Sequence, residues 1–291
     1  MSEKHFPLEH LHADALCSEM PSCMAILVFT GKGGAVLDAL QCLYPQSHSR
    51  IYYMEDTMQT QLPAILSAVE KLHLPCIVMH PGDIPGMGAF LPPDARVSLV
   101  SQGTENPDHV TGLLEKNTPG YFTWIGFQRY LTDPAVMEQL SGHFMATLRL
   151  GEFRKKITSA EPLLREATHH FTDMRCVRHA DMPDMKEGNP NGLYAEEICT
   201  LGRYMGLSHH FQLAVVYGYP SDCRKGSLTA KLNAQFIWHL TEGLAVSVEE
   251  HPAEESVSFQ RKAVQMGEDG QELVFLQSRK SGRWWMEVTN C

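Results

Sequence analysis

The residues best placed for chemistry fall between Leu150 and Gly206. Asp173 lies near the end of a strand expected around His169–Met174, and Arg175 follows two residues later. A polar loop comes next, with Asp181, Pro183, Asp184 and Asn189-Pro190-Asn191-Gly192, and then a helix carrying Glu196, Glu197 and Arg203. Residues i and i+2 on a strand share a face, so Asp173 and Arg175 would point into one space. Carboxylates gathered there could hold a hard cation. A guanidinium beside them could instead take the cation's place, bridging Asp173 to Glu105 or Asp83 by charge-assisted bonds. An arginine at a strand end can equally lie at the surface. Arg175, Arg178 and Arg203, with the helix start at Asn191-Gly192, would suit an anionic ligand.

Other motifs say less. Gly31-Lys32-Gly33-Gly34 lies between a strand and a helix, but it lacks both the phosphate-binding G-K-[ST] and the dinucleotide G-x-G-x-x-G spacing. It reads as a tight strand–helix turn. His5, His10 and His12 form a loose group, and His169-His170 and His209-His210 are adjacent pairs. Neighbours on a strand face opposite ways, so neither adjacent pair readily shares a metal, and these histidines read as solvated or structurally satisfied. No Gly-x-Ser-x-Gly or His-Glu-x-x-His occurs, so triad hydrolysis and zinc proteolysis have no support.

The elements that must carry these residues alternate. Strands are expected at Met24–Phe29, Arg50–Met54, Leu74–Met79, Arg96–Val100, Tyr121–Ile125, Ala146–Leu150, around His169–Met174 and at Phe211–Tyr217. Helices are expected at Ala35–Leu43, Leu62–Leu72, Pro107–Glu115, Pro134–His143, Pro162–Ala167, Leu193–Met205 and Leu228–Val246. Such alternation indicates a mainly parallel sheet covered on both faces, with ligands beyond the carboxyl ends of the strands. The division expected is residues 1–248 as the α/β domain and 249–291 as a C-terminal β extension packed on it. That extension holds a hairpin (Ser258–Gln265, Glu272–Gln277) and the run Trp284–Val288, antiparallel on the sheet edge. Trp284 and Trp285 are expected to pack within the chain.

Composition narrows the class. The chain has 291 residues and a formal charge of −10, which argues against a nucleic-acid partner. No apolar run approaches the ~18 residues of a membrane span, and Met1 to Leu16 does not read as a secretory signal. Eight cysteines without a C-x-x-C pair read as reduced thiols of a cytoplasmic protein.

The segment around Asp173 resembles the ureohydrolase superfamily of arginase, agmatinase and formimidoylglutamase. It is most similar to a divergent bacterial branch reading S-F-D-L-S-A-V-R-x-x-D-A-P at this strand and N-G-F-Y-G-E-E on the helix. Trp284-Trp285-Met286-Glu287-Val288 resembles that branch too. Gly33–Tyr44 and Pro75–Asp83 extend the likeness along the chain. The resemblance implies an arginase-like three-layer α/β fold with a mainly parallel sheet of about eight strands.

It also implies two bridged manganese ions. Their ligands come from the His of G-G-D-H-S, from D-A-H-x-D and from two Asp of S-x-D-x-D-x-x-D-P, and the metals generate hydroxide for attack on an amidine or guanidine carbon. Here Ile84 stands at the first histidine position, and Ser101, Gly103 and Glu105 at the second motif. Asp173 matches the third motif's first Asp, but Arg175 and Arg178 replace the later ones. Glu197 falls where the family places a glutamate that receives the substrate guanidinium.

The reading is a ureohydrolase-like protein without its dinuclear site, a non-catalytic homologue that binds a small molecule or a protein partner. Its remnant cleft would hold Asp83, Glu105, Asp173, Arg175 and Glu197, and its ligand contacts would be Arg178, Asn191, Gly192 and Arg203. No cofactor is expected, and a homo-oligomer is left open. The alternative is a guanidino or amidine hydrolase on an altered manganese site, with His80 or His179 recruited as a ligand.

Overall fold

The computed structural model describes residues 6–12, 23–45, 50–84, 86, 88, 91–92, 94–103, 121–141, 145–250, 258–266 and 271–287. The chain divides into two compact units, Met1–Ser247 and Val248–Cys291.

The first unit is built on nine strands. They are β1 (Leu8–His10), β2 (Cys23–Phe29), β3 (Arg50–Met54), β4 (Cys76–Pro81), β5 (Arg96–Val100), β6 (Tyr121–Ile125), β7 (Met145–Leu148), β8 (His169–Asp173) and β9 (Leu213–Tyr219). Their spatial order is β1-β3-β2-β4-β9-β8-β5-β6-β7, and every neighbouring pair is parallel. A parallel sheet covered on both faces needs strands that are apolar on both sides. Ala25–Phe29 and Cys76–Met79 meet that need without a polar residue, and all are buried.

The helices are α1 (Gly34–Gln41), α2 (Leu62–Lys71), α3 (Pro134–Ser141), α4 (Leu150–Lys155), α5 (Ala160–Leu164), α6 (Ala195–Gly206) and α7 (Leu228–Ala245). They divide the core in two. On one face Leu27, Phe29, Ile77 and Val216 meet Leu40 of α1, Ile198 and Met205 of α6, and Phe236 and Leu240 of α7. On the other, Ile26, Val28, Val78 and Val215 meet Leu62, Ile65 and Val69 of α2 and Val136 of α3. Alternate residues of one strand thus serve opposite layers.

Three expectations are corrected. Strand β1 has no counterpart in the sequence reading. Leu8–His10 holds a single apolar residue, and the strand is set by backbone pairing to β3 and by burial of its flanks Phe6 and Leu11. Leu193 does not start the helix. Its N–H donates to Cys176 O (2.7 Å) and its carbonyl accepts from Arg178 N (3.0 Å), so the helix begins at Ala195. The C-terminal strands form a sheet of their own rather than an edge addition. It comprises β10 (Phe259–Met266), β11 (Gln271–Ser278) and β12 (Trp284–Met286), all antiparallel. Ladder bonds join β10 to β11 and β11 to β12. Trp285 meets Phe259 edge-on at 5.4 Å, and the ammonium of Lys262 lies 4.5 Å from the Trp284 ring centroid. The helix expected at Pro107–Glu115 and the turn at Gly267–Gly270 lie outside the described residues. Among the described residues no helix is long and apolar enough to cross a membrane.

Candidate functional site

Because all nine strands run the same way, the carboxyl ends of β2, β4, β9 and β8 lie side by side along one edge of the sheet. A chain of polar contacts runs across these ends. Thr30, just past β2, shares a 2.6 Å hydrogen bond with His80 Nδ1 on β4. His80 Nε2 lies 2.9 Å from the Asp83 carbonyl. A carbonyl only accepts, so Nε2 carries a proton and donates to it. The Asp83 carboxylate meets Arg175 Nη1 at 2.7 Å. Arg175 Nε donates to both Asp173 oxygens, at 2.8 and 3.1 Å, and Arg175 N–H donates to Asp173 Oδ1 at 3.0 Å.

The Arg175 guanidinium therefore bridges two carboxylates, although Arg175 lies beyond β8, in the 3-10 turn Met174–Cys176, and does not share the strand with Asp173. Asp173 is 6% exposed. Burial raises its carboxyl above the ordinary range and outweighs the opposing pull of Arg175. Burial also works against the arginine's charge, but its bond to Asp173 and the fields of Asp173 and Asp83 prevail and hold the guanidinium firmly protonated. Burial pushes the neighbouring Tyr217 phenol far up, so the cleft wall there is neutral.

Gly218 makes this approach possible. Its φ is +79°, and a Cβ there would lie 2.3 Å from Asp173 Oδ1 and 3.1 Å from Arg175 Nε. Gly82 completes the corner, its carbonyl accepting from Gly218 N at 2.8 Å. The sequence reading missed Gly218. The available signal was a glycine between Tyr217 and Tyr219 at a strand end, where a close backbone approach is a usual cause.

Glu197 is not an open receptor. It is 4% exposed and its carboxylate takes Arg154 Nε at 3.0 Å and Nη2 at 3.2 Å, with Tyr194 N–H at 2.8 Å. Arg154 comes from α4 and nothing in the sequence marked it. The Tyr194 ring lies between two guanidinium groups, Arg154 at 4.0 Å and Arg178 at 4.2 Å. Arg178 in turn makes two 2.9 Å bonds to Asp181, whose Oδ2 also accepts from Ala195 N at the start of α6. Arg203 pairs with Glu242 of α7 at 2.7 Å. Asn191 is exposed. Gly192 packs on the chain at Cys176–Arg178, where a Cβ would lie 2.5 Å from Arg178 N.

The other positions compared with metal ligands are also spoken for. Ile84 is buried in the core. The Ser101 hydroxyl accepts from Trp124 Nε1 at 2.9 Å. Gly103 lies against Leu131, where a Cβ would meet the Leu131 carbonyl at 2.2 Å. Glu105 is outside the described residues. Both ring nitrogens of His80 are hydrogen-bonded, and the ring of His179 lies tight against Gly188, where a Cβ would fall 1.8 Å from Nδ1. Among the described residues no group of three His, Cys, Asp or Glu is placed to hold a metal ion.

No protein-family model matches the chain, and no curated protein matches it. Solved structures do. Formiminoglutamase from Trypanosoma cruzi, crystallised with manganese at pH 8.5, superposes with a TM-score of 0.64 at 16% identity, over 78% of this chain and 94% of that one. Formimidoylglutamase from Bacillus subtilis gives 0.64 at 12% identity, over 83% and 91%. The agmatine ureohydrolase of Thermoplasma volcanium gives 0.57 at 13% identity, over 76% and 90%. At these identities the likeness is one of fold: the parallel sheet and its two helical layers are arginase-like.

Proposed function

We propose that the chain is a divergent ureohydrolase-superfamily protein that has lost the dinuclear manganese site and serves as a non-catalytic, ligand- or partner-binding homologue. The observation that carries this reading is the Arg175 guanidinium held between Asp173 and Asp83. A cation of the chain's own lies where the resemblance would put the metals' carboxylates to work. Two manganese ions need several oxygen and imidazole ligands converging on them. The described residues at the compared positions offer Asp173 alone, and it is already bonded to Arg175. Arg175 would repel a divalent ion, so these side chains do not fit the metal pair.

A second internal guanidinium supports the same reading. Arg154 occupies the carboxylate of Glu197, the group that the resemblance assigns to a substrate guanidinium. Both charged features of a guanidine-hydrolysing cleft are thus matched by arginines of the chain. Six described cysteines are unpaired, which fits a protein of the cytoplasm.

The test is elemental mass spectrometry of the purified protein after incubation with manganese and desalting. The expected result is no stoichiometric metal. About two equivalents per chain would overturn the reading and call for assays on guanidino and amidine substrates.

A further inference from the structure

The amino ends of the strands, at the sheet edge opposite the Asp173–Arg175–Asp83 cluster, border a cavity of about 720 Å³. Its floor is made where strands begin: Cys76 opens β4, His169 opens β8 and Leu213 opens β9, and all three are buried. Helix α2 supplies Leu66 and Glu70 to one side, and the segment before β5 supplies Leu91 and Asp94. This volume lies in the range of small-molecule sites.

We propose that this cavity binds a small organic cation, a primary ammonium on an apolar body, with Glu70 and Asp94 as its counter-charges. The reading goes beyond the function proposed above and uses none of the residues at the carboxyl ends of the strands.

Charge sets the class of ligand. Among the described residues one arginine or lysine lines the cavity, Arg96, and it is already paired with Glu166 at 3.1 Å. The formal charge left over is that of Glu70 and Asp94, so an anion is disfavoured and a cation attracted. His169 does not oppose this. Burial chiefly pulls it down to about 4, so it stays neutral near pH 7. Its Nδ1 is bonded to Thr168 Oγ1 at 2.8 Å, which leaves Nε2 as its second polar atom. Leu66 and Leu91 offer apolar surface for the body of the ligand. The net charge of −10 adds a long-range pull on cations at low salt.

The experiment is isothermal titration with benzylamine at pH 8 and low salt, with benzyl alcohol and benzoate as size-matched controls. The expected result is one benzylamine per chain and no comparable binding of the alcohol or the acid. Asp94→Asn and Glu70→Gln, both exposed and close to isosteric, should each weaken binding about fivefold or more, as loss of a charge-assisted contact does. Asp222→Asn, an exposed acid of a different loop, should leave it unchanged. Absence of benzylamine binding, equal binding of benzyl alcohol, unaltered affinity in both Asp94→Asn and Glu70→Gln, or an equal loss in Asp222→Asn would each overturn the proposal. These outcomes are independent of whether the protein retains manganese.

Discussion

Replacing Arg175 with alanine would leave Asp173, 6% exposed, without its guanidinium partner. Breaking a buried ion pair from one side costs about 3–5 kcal/mol. Arg175 is 30% exposed at its side chain, so solvent screening places the expected loss at or below the low end of that range. Urea denaturation of Arg175→Ala, Asp173→Asn and the double variant measures it. The double variant should be more stable than Arg175→Ala, because no unpaired carboxylate remains. Additive losses would show that the two side chains do not act as a pair. Arg154 permits a different test. Arg154→Ala opens a guanidinium-shaped space beside Glu197, so millimolar methylguanidinium should raise the melting temperature of that variant and leave the parent's unchanged. No rescue would mean that Glu197 relaxes onto other donors.

Among the elements, β8 carries two buried histidines that make stability depend on pH. His169 and His170 open it, and burial holds them near 4 and 3 against about 6.5 in an unfolded chain. Between those limits the unfolded chain binds more protons, so stability falls as pH drops below about 6.5 and is fully retained above it. Each histidine contributes a slope of up to about 1.4 kcal/mol per pH unit. His170→Gln should flatten the curve between pH 6 and 4, read from urea midpoints across pH, while an unchanged slope would show that His170 already charges in the fold. The sequence placed β8 by its position in the strand–helix alternation, and the structure buries all five of its residues. The sequence also pointed to the Asp173–Arg175 pair, but the pair forms for another reason: the strand ends at Asp173, and Arg175 sits in the 3-10 turn Met174–Cys176, whose geometry returns its N–H and Nε to that carboxylate. The sequence left Asp83 and Glu105 as alternatives for the other end of the bridge, and gave no sign of Arg154 on Glu197. Those contacts join segments 43 to 92 residues apart, and only the strand order brings them together. Strand β1 stayed hidden for a related reason: its stability comes from β3's backbone and not from its own side chains.

For the whole molecule, the proposed function predicts a stability that does not respond to metal. A dinuclear site adds binding energy to the folded state alone, and chelation removes it. Melting temperatures in EDTA and in excess manganese should therefore agree within about 1 °C for this chain. A rise of about 5 °C or more with manganese would show a site that the described residues do not reveal. The same scan on an Arg175→Asp variant asks whether a restored carboxylate suffices for affinity. It should not, because Ile84 and Gly103 still supply no ligand atom from their side chains.

Gly218 carries a consequence for how this surface can evolve. Every amino acid reachable from a glycine codon by one base change has a Cβ, and a Cβ at this position would collide with Asp173. Drift at residue 218 is therefore blocked while the aspartate and its arginine stay where they are. Across a set of related sequences, substitutions at Gly218 should arise only in lineages that have already changed Asp173. A sequence with alanine or serine at 218 beside an intact Asp173–Arg175 pair would be evidence that the strand end can open.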